Sequence, residues 1–194
     1  MKTTVRGKPA GAVRIIGGSW RGRRIAVPAA TGLRPTGDRL RETLFNWVAP
    51  LVPGSTCLDL FAGTGVLGLE ALSRGAAAVV FVERQRDLAL ALESNLEKLG
   101  SGAGTVANTD AQRYLAAAPR AYDLVFLDPP FGEFDLGELC TLLASGWLND
   151  GARVYLEMPV KTAVPALPPP WQLLREKTAG QVRYALAAWL SDNP

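Results

Sequence analysis

The sequence predicts an α/β domain built on a doubly wound, mostly parallel sheet of seven strands, preceded by a small basic hairpin-and-helix extension. Three observations lead there. From Ser55 onward, short apolar runs alternate with helix-length amphipathic segments, the pattern of repeated βα units with right-handed crossovers. A glycine turn, Gly63-Thr64-Gly65, joins the first such strand to the first such helix. The buried-type run Asp123-Leu-Val-Phe-Leu127 ends abruptly in Asp128-Pro129-Pro130-Phe131, so a central strand meets a stiff rim where open α/β sheets bind their ligands.

Taken in order, residues 1–11 read as a basic tail. Val13–Ile16 and Arg24–Val27, separated by Gly17-Gly18, suggest a hairpin with Trp20 at its turn. Asp38 is expected to cap a helix over Arg39–Ala49 whose Leu40, Leu44, Phe45, Trp47 and Val48 form an apolar stripe, closed off by Pro50 and Pro53. Residues 12–50 therefore form an extension and 51–194 the main domain. Within the latter, strand Cys57–Phe61 leads to helix Val66–Arg74, strand Ala78–Glu83 to helix Arg86–Leu99, and strand Thr105–Asn108 to a short helix over Ala111–Ala118. Strand Tyr122–Asp128 precedes a helix near Leu136–Gly146, followed by strand Ala152–Glu157. Trp171–Lys177 and Gln181–Leu190 have no helix between them and read as an antiparallel hairpin through Ala179-Gly180.

Composition narrows the chemistry. The 194 residues include no histidine, which removes Ser-His and Cys-His nucleophilic systems and the usual zinc sites, so no metal is expected. Cys57 and Cys140 lie in apolar surroundings and read as buried, reduced thiols. No apolar run is long enough to span a bilayer, and the start carries charge without an apolar segment behind it, so a cytoplasmic protein is expected. The net charge of +3 conceals an asymmetry: residues 1–41 hold ten of the 21 bases and one acid, leaving 11 bases and 17 acids for the rest. A basic arm of that density points to a polyanion partner.

The motif Gly63-x-Gly65-x-x-Gly68, with Glu83 at the end of the next strand, is the dinucleotide fingerprint, so a nicotinamide oxidoreductase is one reading. Asp59 argues for a different nucleoside ligand. Its carboxylate stands just before the glycines, where it would repel a pyrophosphate yet hold a positively charged amino-acid moiety. With Asp110 after the third strand, Asp59 and Glu83 make an acidic crescent along three strand ends. An ammonium, a ribose diol and an adenine amine on one ligand would satisfy all three.

DLFAGTG, Glu83, Asp110 and DPPF, in that order, resemble a Rossmann-like class I S-adenosylmethionine-dependent methyltransferase of the amino-methylating kind. RIIGGSWRGRRIAVP, GLRPTGDRLRETLFNW, LDLFAGTGVLGLEALSRGA and EKTAGQVRY resemble, more specifically, the RsmD family of bacterial 16S rRNA guanine-N2 methyltransferases, over nearly the whole chain. The resemblance implies S-adenosylmethionine as cofactor, with Gly63 and Gly65 along its methionine part, Asp59 and Phe61 beside it, Glu83 on the ribose, and Asp110 with the Ala111 backbone on the adenine edge. It places the helix of Arg41 and Asn46 over the cofactor as a lid. Asp128, Pro129 and Phe131 would hold the target base, and Arg14, Arg21, Arg23, Arg24 and Arg34 would bind RNA. The implied partner is 16S rRNA in the small ribosomal subunit, at a loop guanine near the decoding region, and the implied state is a monomer.

The same resemblance assigns DPPF a physical task. An exocyclic amine is a poor nucleophile because its lone pair is delocalised into the ring. Two acceptors, the Asp128 carboxylate and the Pro129 carbonyl, would accept hydrogen bonds from its protons, favour a pyramidal nitrogen and aim the lone pair at a sulfonium methyl. Phe131 would stack on a base drawn out of its helix. Adenine-N6 methylation of DNA or RNA, and a noncatalytic RNA-binding module on the same fold, are the competing readings.

Overall fold

In a computed structural model that describes residues 9–28 and 37–191, the chain forms a two-stranded and a seven-stranded sheet with five α-helices among the described residues. The small sheet pairs β1 (Pro9–Arg14) with β2 (Arg24–Pro28), antiparallel, around a 3₁₀ turn at Gly18–Trp20. Strand pairing thus begins at Pro9, inside the segment expected to be tail, because Pro9–Ala12 have β2 as a partner. Residues 1–8 and Arg34 lie outside the described residues.

Helix α1 (Asp38–Val48) follows. Its cap is Gly37 rather than Asp38, and the difference has a cause: the Asp38 carboxylate accepts from Arg41 Nη2 at 2.6 Å and Arg14 Nη2 at 3.2 Å. Burial alone would raise the Asp38 carboxyl; the Arg41 and Arg14 bonds and charges reverse that and hold it below its ordinary value. The side chain is thereby taken from the helix end.

The main sheet contains β3 (Thr56–Asp59), β4 (Ala78–Val82), β5 (Gly104–Ala107), β6 (Tyr122–Leu127), β7 (Leu148–Pro159), β8 (Trp171–Ala179) and β9 (Val182–Trp189). Their order is β5-β4-β3-β6-β7-β9-β8, parallel through β7 and antiparallel at β9 and β8. Helices α2 (Val66–Ser73), α3 (Arg86–Leu99), α4 (Ala111–Leu115) and α5 (Leu136–Ala144) connect the strands. Alternate residues of each strand feed two separate cores. Cys57, Phe81, Leu124, Phe126 and Tyr155 pack with α1, α2 and α3 on one face, while Leu58, Val82, Val125 and Val154 pack with α4 and α5 on the other.

In the main domain two boundaries differ from expectation by three residues or more. The short helix α4 stops at Leu115, before the residue preceding Pro119 would be forced out of helical backbone. Strand β7 starts at Leu148 rather than Ala152, because Leu148 pairs with Tyr122 before a register shift restores Leu124 to Arg153.

The extension is bound to the main domain by polar contacts. Gly18, at φ 73°, lies against the end of α2 so closely that a Cβ there would stand 1.8 Å from the Ser73 carbonyl oxygen. Ser73 Oγ donates to the Gly17 carbonyl at 2.5 Å and accepts from the Trp20 N–H at 2.9 Å. Asn95 of α3 donates to the Ala26 carbonyl of β2. On α1, Trp47 stacks on Tyr184 at 5.4 Å and Phe45 packs against Phe126 at 6.0 Å, so this helix covers the sheet face over β6 and β9.

Candidate active site

Order reverses between β3 and β6, since β4 and β5 run out to one side of β3 and β6 and β7 to the other. Ligands in such sheets sit in the crevice outside the strand ends at this switch point. A cleft of about 430 Å³ opens there, lined by the β3 and β4 ends, the Asp110 loop and the DPPF rim. That volume suits a nucleoside-sized ligand.

Pleating and register arrange four carboxylates across its floor. Asp59 pairs with Phe81 on one side and Phe126 on the other, and Glu83 and Asp128 lie two residues beyond those partners, hence on the same sheet face. Leu127 pairs with Leu156, so the next step sets Glu157 beside Asp128. Along the strand order the row reads Glu83, Asp59, Asp128, Glu157, with all four lining the cleft.

Asp59 is 2% exposed and accepts from the Gly68 N–H at 3.1 Å. Burial, opposed by that bond and reinforced by the Glu83 charge, pushes its carboxyl up to about 7. A cation beside it would restore ionisation, which is what an ammonium or sulfonium provides. Glu83 bridges two loops, its Oε2 accepting from the Gly63 N–H at 2.8 Å and its Oε1 from the Gln85 N–H at 2.7 Å. Each oxygen keeps a second lone pair for a ribose hydroxyl. Asn108 Nδ2 donates to the Glu83 carbonyl at 2.7 Å and fixes the β4 end.

Asp110 caps α4, accepting from the Gln112 and Arg113 N–H groups through Oδ1. The Ala111 N–H, at the first position of that helix, has no partner among the described residues, and Ala111 lines the cleft. An adenine ring nitrogen could use such a donor. Phe61 closes this half, its ring edge-on to Phe134 at 4.8 Å. These groups fit S-adenosylmethionine as a set: cation partner, diol acceptor, adenine donor and an aromatic wall.

The glycines divide their roles. Gly63 lines the cleft with a φ of 52°, whereas Gly65, expected along the ligand, does not appear among the described lining residues. Gly65 caps α2 at φ 74°, and a Cβ on it would meet Leu92 at 2.4 Å, so packing and backbone conformation demand it. Gly68 is likewise a close-approach glycine, against Phe81.

Across the cleft from these groups stands the DPPF rim. Pro129 is buried, its carbonyl receives no hydrogen bond from a described residue, and Phe131 is 44% exposed at the rim. Arg84 and Glu133 pair at 2.9 Å between the two halves of the rim.

Neither of the α1 residues expected at the cofactor is among the described lining of the cleft. Arg41 is fully buried, donating to Glu70 Oε1 at 2.7 Å, Asp38 Oδ1 at 2.6 Å and the Arg14 carbonyl at 3.0 Å, and it is absent from the cleft's described lining. Glu70 anchors this network, accepting also from the Ile16 and Gly17 N–H groups and pairing with Arg74 at 3.3 Å. Arg41 is therefore part of the joint between hairpin and α2, because a buried carboxylate at Glu70 requires a buried cation. Asn46 lines a second hollow of about 580 Å³ between hairpin and α1, with Arg14, Arg21, Asp38, Glu42 and Arg74, away from Asp128.

Of the expected RNA contacts, Arg14 and Arg24 are exposed on the strands of the small sheet and Arg21 and Arg23 on the connection between them, Arg14 in an ion pair with Asp38. Glu157 was not singled out from sequence, although an acid closing the apolar run Val154–Leu156 was its signal. Glu133 and Phe134, just past the prolines, were missed too, since loop geometry alone brings them to the rim.

Comparison with known proteins agrees with this geometry. Residues 13–188 match the family model described as Conserved hypothetical protein 95. The Escherichia coli protein named Ribosomal RNA small subunit methyltransferase D is 50% identical over 177 residues, covering 91% of this chain and 89% of the relative. The Haemophilus influenzae protein of the same name is 46% identical over 182 residues, covering 91% and 93%. The solved structure titled "Putative methyltransferase yhhF from Escherichia coli" superposes with a TM-score of 0.88 at 45% identity, covering 94% of this chain and 100% of that one. With a family match across most of its length and relatives at this level of identity, the chain belongs to the Conserved hypothetical protein 95 family, the RsmD family of Rossmann-like methyltransferases.

Proposed function

We propose that the protein methylates 16S rRNA of the small ribosomal subunit, at the exocyclic N2 amine of a guanine. The observation that carries this reading is the division of one cleft into a nucleoside-cofactor half and a DPPF half, meeting at Asp59. The names of its relatives, small-subunit rRNA methyltransferases, support the substrate class. The methyl donor is S-adenosylmethionine, which when bound supplies an electrophilic sulfonium methyl group and leaves as S-adenosylhomocysteine.

The protein's own residues do the rest. Asp59 neutralises the positive end of the donor from below, Glu83 holds the ribose, and the Ala111 N–H with Asp110 reads the adenine edge. Asp128 and the Pro129 carbonyl accept hydrogen bonds from the two N–H groups of the target amine, which localises the nitrogen lone pair and turns it toward the methyl carbon. The proton lost on methylation leaves through the Asp128 carboxylate to solvent. Phe131 stacks on the extruded base, replacing the neighbour it had in the RNA. Alignment and electrostatics supply the rate, so no side-chain nucleophile and no imidazole is needed. The exposed Arg21, Arg23 and Arg24 of the hairpin grip phosphates, a sequence-blind contribution. The small sheet and α1 act together as the RNA-facing unit, and the enzyme works as a monomer in the cytoplasm.

The test incubates the protein with labelled S-adenosylmethionine and three acceptors: protein-free 16S rRNA and small subunits from cells lacking the modification, and duplex DNA. Label recovered as N2-methylguanosine in rRNA or subunits is the expected result. Methyladenine in DNA or RNA would transfer the site to another substrate, and no label anywhere would leave a binding module. Asp128→Ala must abolish transfer, by about 100-fold or more, while S-adenosylhomocysteine still binds; retained activity would sink the assignment.

A further inference from the structure

Glu157 is a buried carboxylate, 5% exposed, lining the cleft on β7, outside the cofactor half formed by β3, β4 and the Asp110 loop. The register that pairs Phe126 with Tyr155 and Leu127 with Leu156 sets it beside Asp128 on the neighbouring parallel strand, one inter-strand spacing of about 4.8 Å away. Its Oε2 accepts from the Tyr155 hydroxyl at 2.8 Å. That phenol is fully buried, and burial together with the Glu157 and Asp128 charges keeps it protonated far above its ordinary range, so it remains a donor. The fold has therefore fixed a second carboxylate, rigidly supported, next to the one that meets the acceptor amine.

Two adjacent acceptors suit one purine edge and not the others. Guanine presents N1–H and the N2 amine side by side, both donors. Adenine presents a donor amine next to an N1 acceptor, and 2-aminopurine presents the N2 amine next to an N1 acceptor. We propose that Glu157 determines specificity by accepting the N1–H of the target guanine while Asp128 holds the N2 amine. Resting on the guanine-N2 reading, it assigns the residue that enforces it. Holding N1–H also increases electron density in the N1–C2–N2 unit, so the amine becomes a better nucleophile. A base with a lone pair at N1 faces a carboxylate there, and a site built to pair a donor rejects the analogue that lacks it.

Once the methylated guanine is mapped, it is replaced by 2-aminopurine in 16S rRNA assembled by splinted ligation, and kcat/KM is measured on both substrates. The wild-type protein should prefer guanine by about 10- to 100-fold. Glu157→Gln, whose amide nitrogen donates to an N1 acceptor, should lose guanine activity and shrink or invert that preference, with S-adenosylhomocysteine affinity unchanged. Equal use of the two bases by the wild-type protein overturns the proposal without recourse to any variant. So does an unaltered preference in Glu157→Gln, or a variant inactive on both bases that still binds S-adenosylhomocysteine. Absence of N2-methylguanosine from the wild-type reaction refutes the guanine reading itself, and is seen before any variant is compared.

Discussion

Replacing Arg41 with methionine separates a structural role from a cofactor-binding one. The side chain has no exposed surface and donates at 2.6–3.0 Å to Asp38, Glu70 and the Arg14 carbonyl. Methionine keeps most of the volume but leaves Glu70, itself fully buried, with Arg74 at 3.3 Å as its remaining ion-pair partner among the described residues. Removing one member of a buried pair costs about 3–5 kcal/mol. At roughly 2–4 °C per kcal/mol for a domain of this size, the melting temperature should fall by about 6–20 °C. The deficit has a pH signature. Burial raises the Glu70 carboxyl, against the opposing pull of the Ile16 N–H, Arg41, Arg74 and the Gly17 N–H, and losing Arg41 raises it further. A raised folded-state value means that the folded protein holds the proton more tightly than the unfolded chain, so stability from this group is greatest at acid pH and falls as pH climbs through that value. The variant should therefore lag the wild type more at pH 8 than at pH 5. Thermal melts at both pH values, with titration calorimetry of S-adenosylhomocysteine well below the melting point, give the answer. A melting temperature within 2 °C of wild type, combined with a tenfold or greater loss of affinity, would refute the structural assignment and restore Arg41 to the cofactor.

Asp59→Asn addresses the carboxyl raised to about 7. The ligand-free wild type should lose stability as pH rises from about 4 to 7 and bind S-adenosylhomocysteine more tightly over the upper part of that range, by at most tenfold per pH unit; the variant should flatten both slopes, and a wild-type affinity that falls with pH would contradict the role. Phe131→Ala should raise KM for rRNA by about 5- to 150-fold, the worth of one base stack, and leave the melting temperature unchanged because the ring is 44% exposed; a melting loss without a KM change would make it a packing residue. Changing Arg21, Arg23 and Arg24 to glutamine together should weaken rRNA binding and reduce the slope of log affinity against log salt by about one per lost phosphate contact; an unchanged slope would show that the small sheet does not touch the backbone of the RNA.

What was legible in the sequence, and what was not, follows from how local each signal is. The Gly63-Thr64-Gly65 turn and the DPPF rim are written in residues whose backbone preferences act at their own positions, and alternation along each strand then commits Asp59, Glu83 and Asp128 to one face. Gly65 is ambiguous in the sequence because a positive φ and a ligand contact leave the same mark, a glycine; its φ of 74° and the approach of Leu92 from α3 become visible only in the fold. Asp38 reads as a cap by its position, but Arg41 and Arg14 compete for its carboxylate, and an interaction that spans 24 residues has no local signature.

Arg41 and Glu70 are the most instructive pair. On an amphipathic helix an arginine reads as solvent-facing, and 29 residues separate it from its partner. The clue lay on the other side: Glu70 interrupts the otherwise apolar helix Val66–Ser73, and a lone acid among residues that are all buried demands a cation from elsewhere. The same reasoning reaches Glu157, an acid at the end of the run Val154–Leu156. Tyr155 supplies one hydrogen bond, and the carboxylate still faces the cleft beside Asp128. Buried acids among the described residues thus fall in two places, the joint between hairpin and α2 and the cleft. Register, rather than composition, decides which is which.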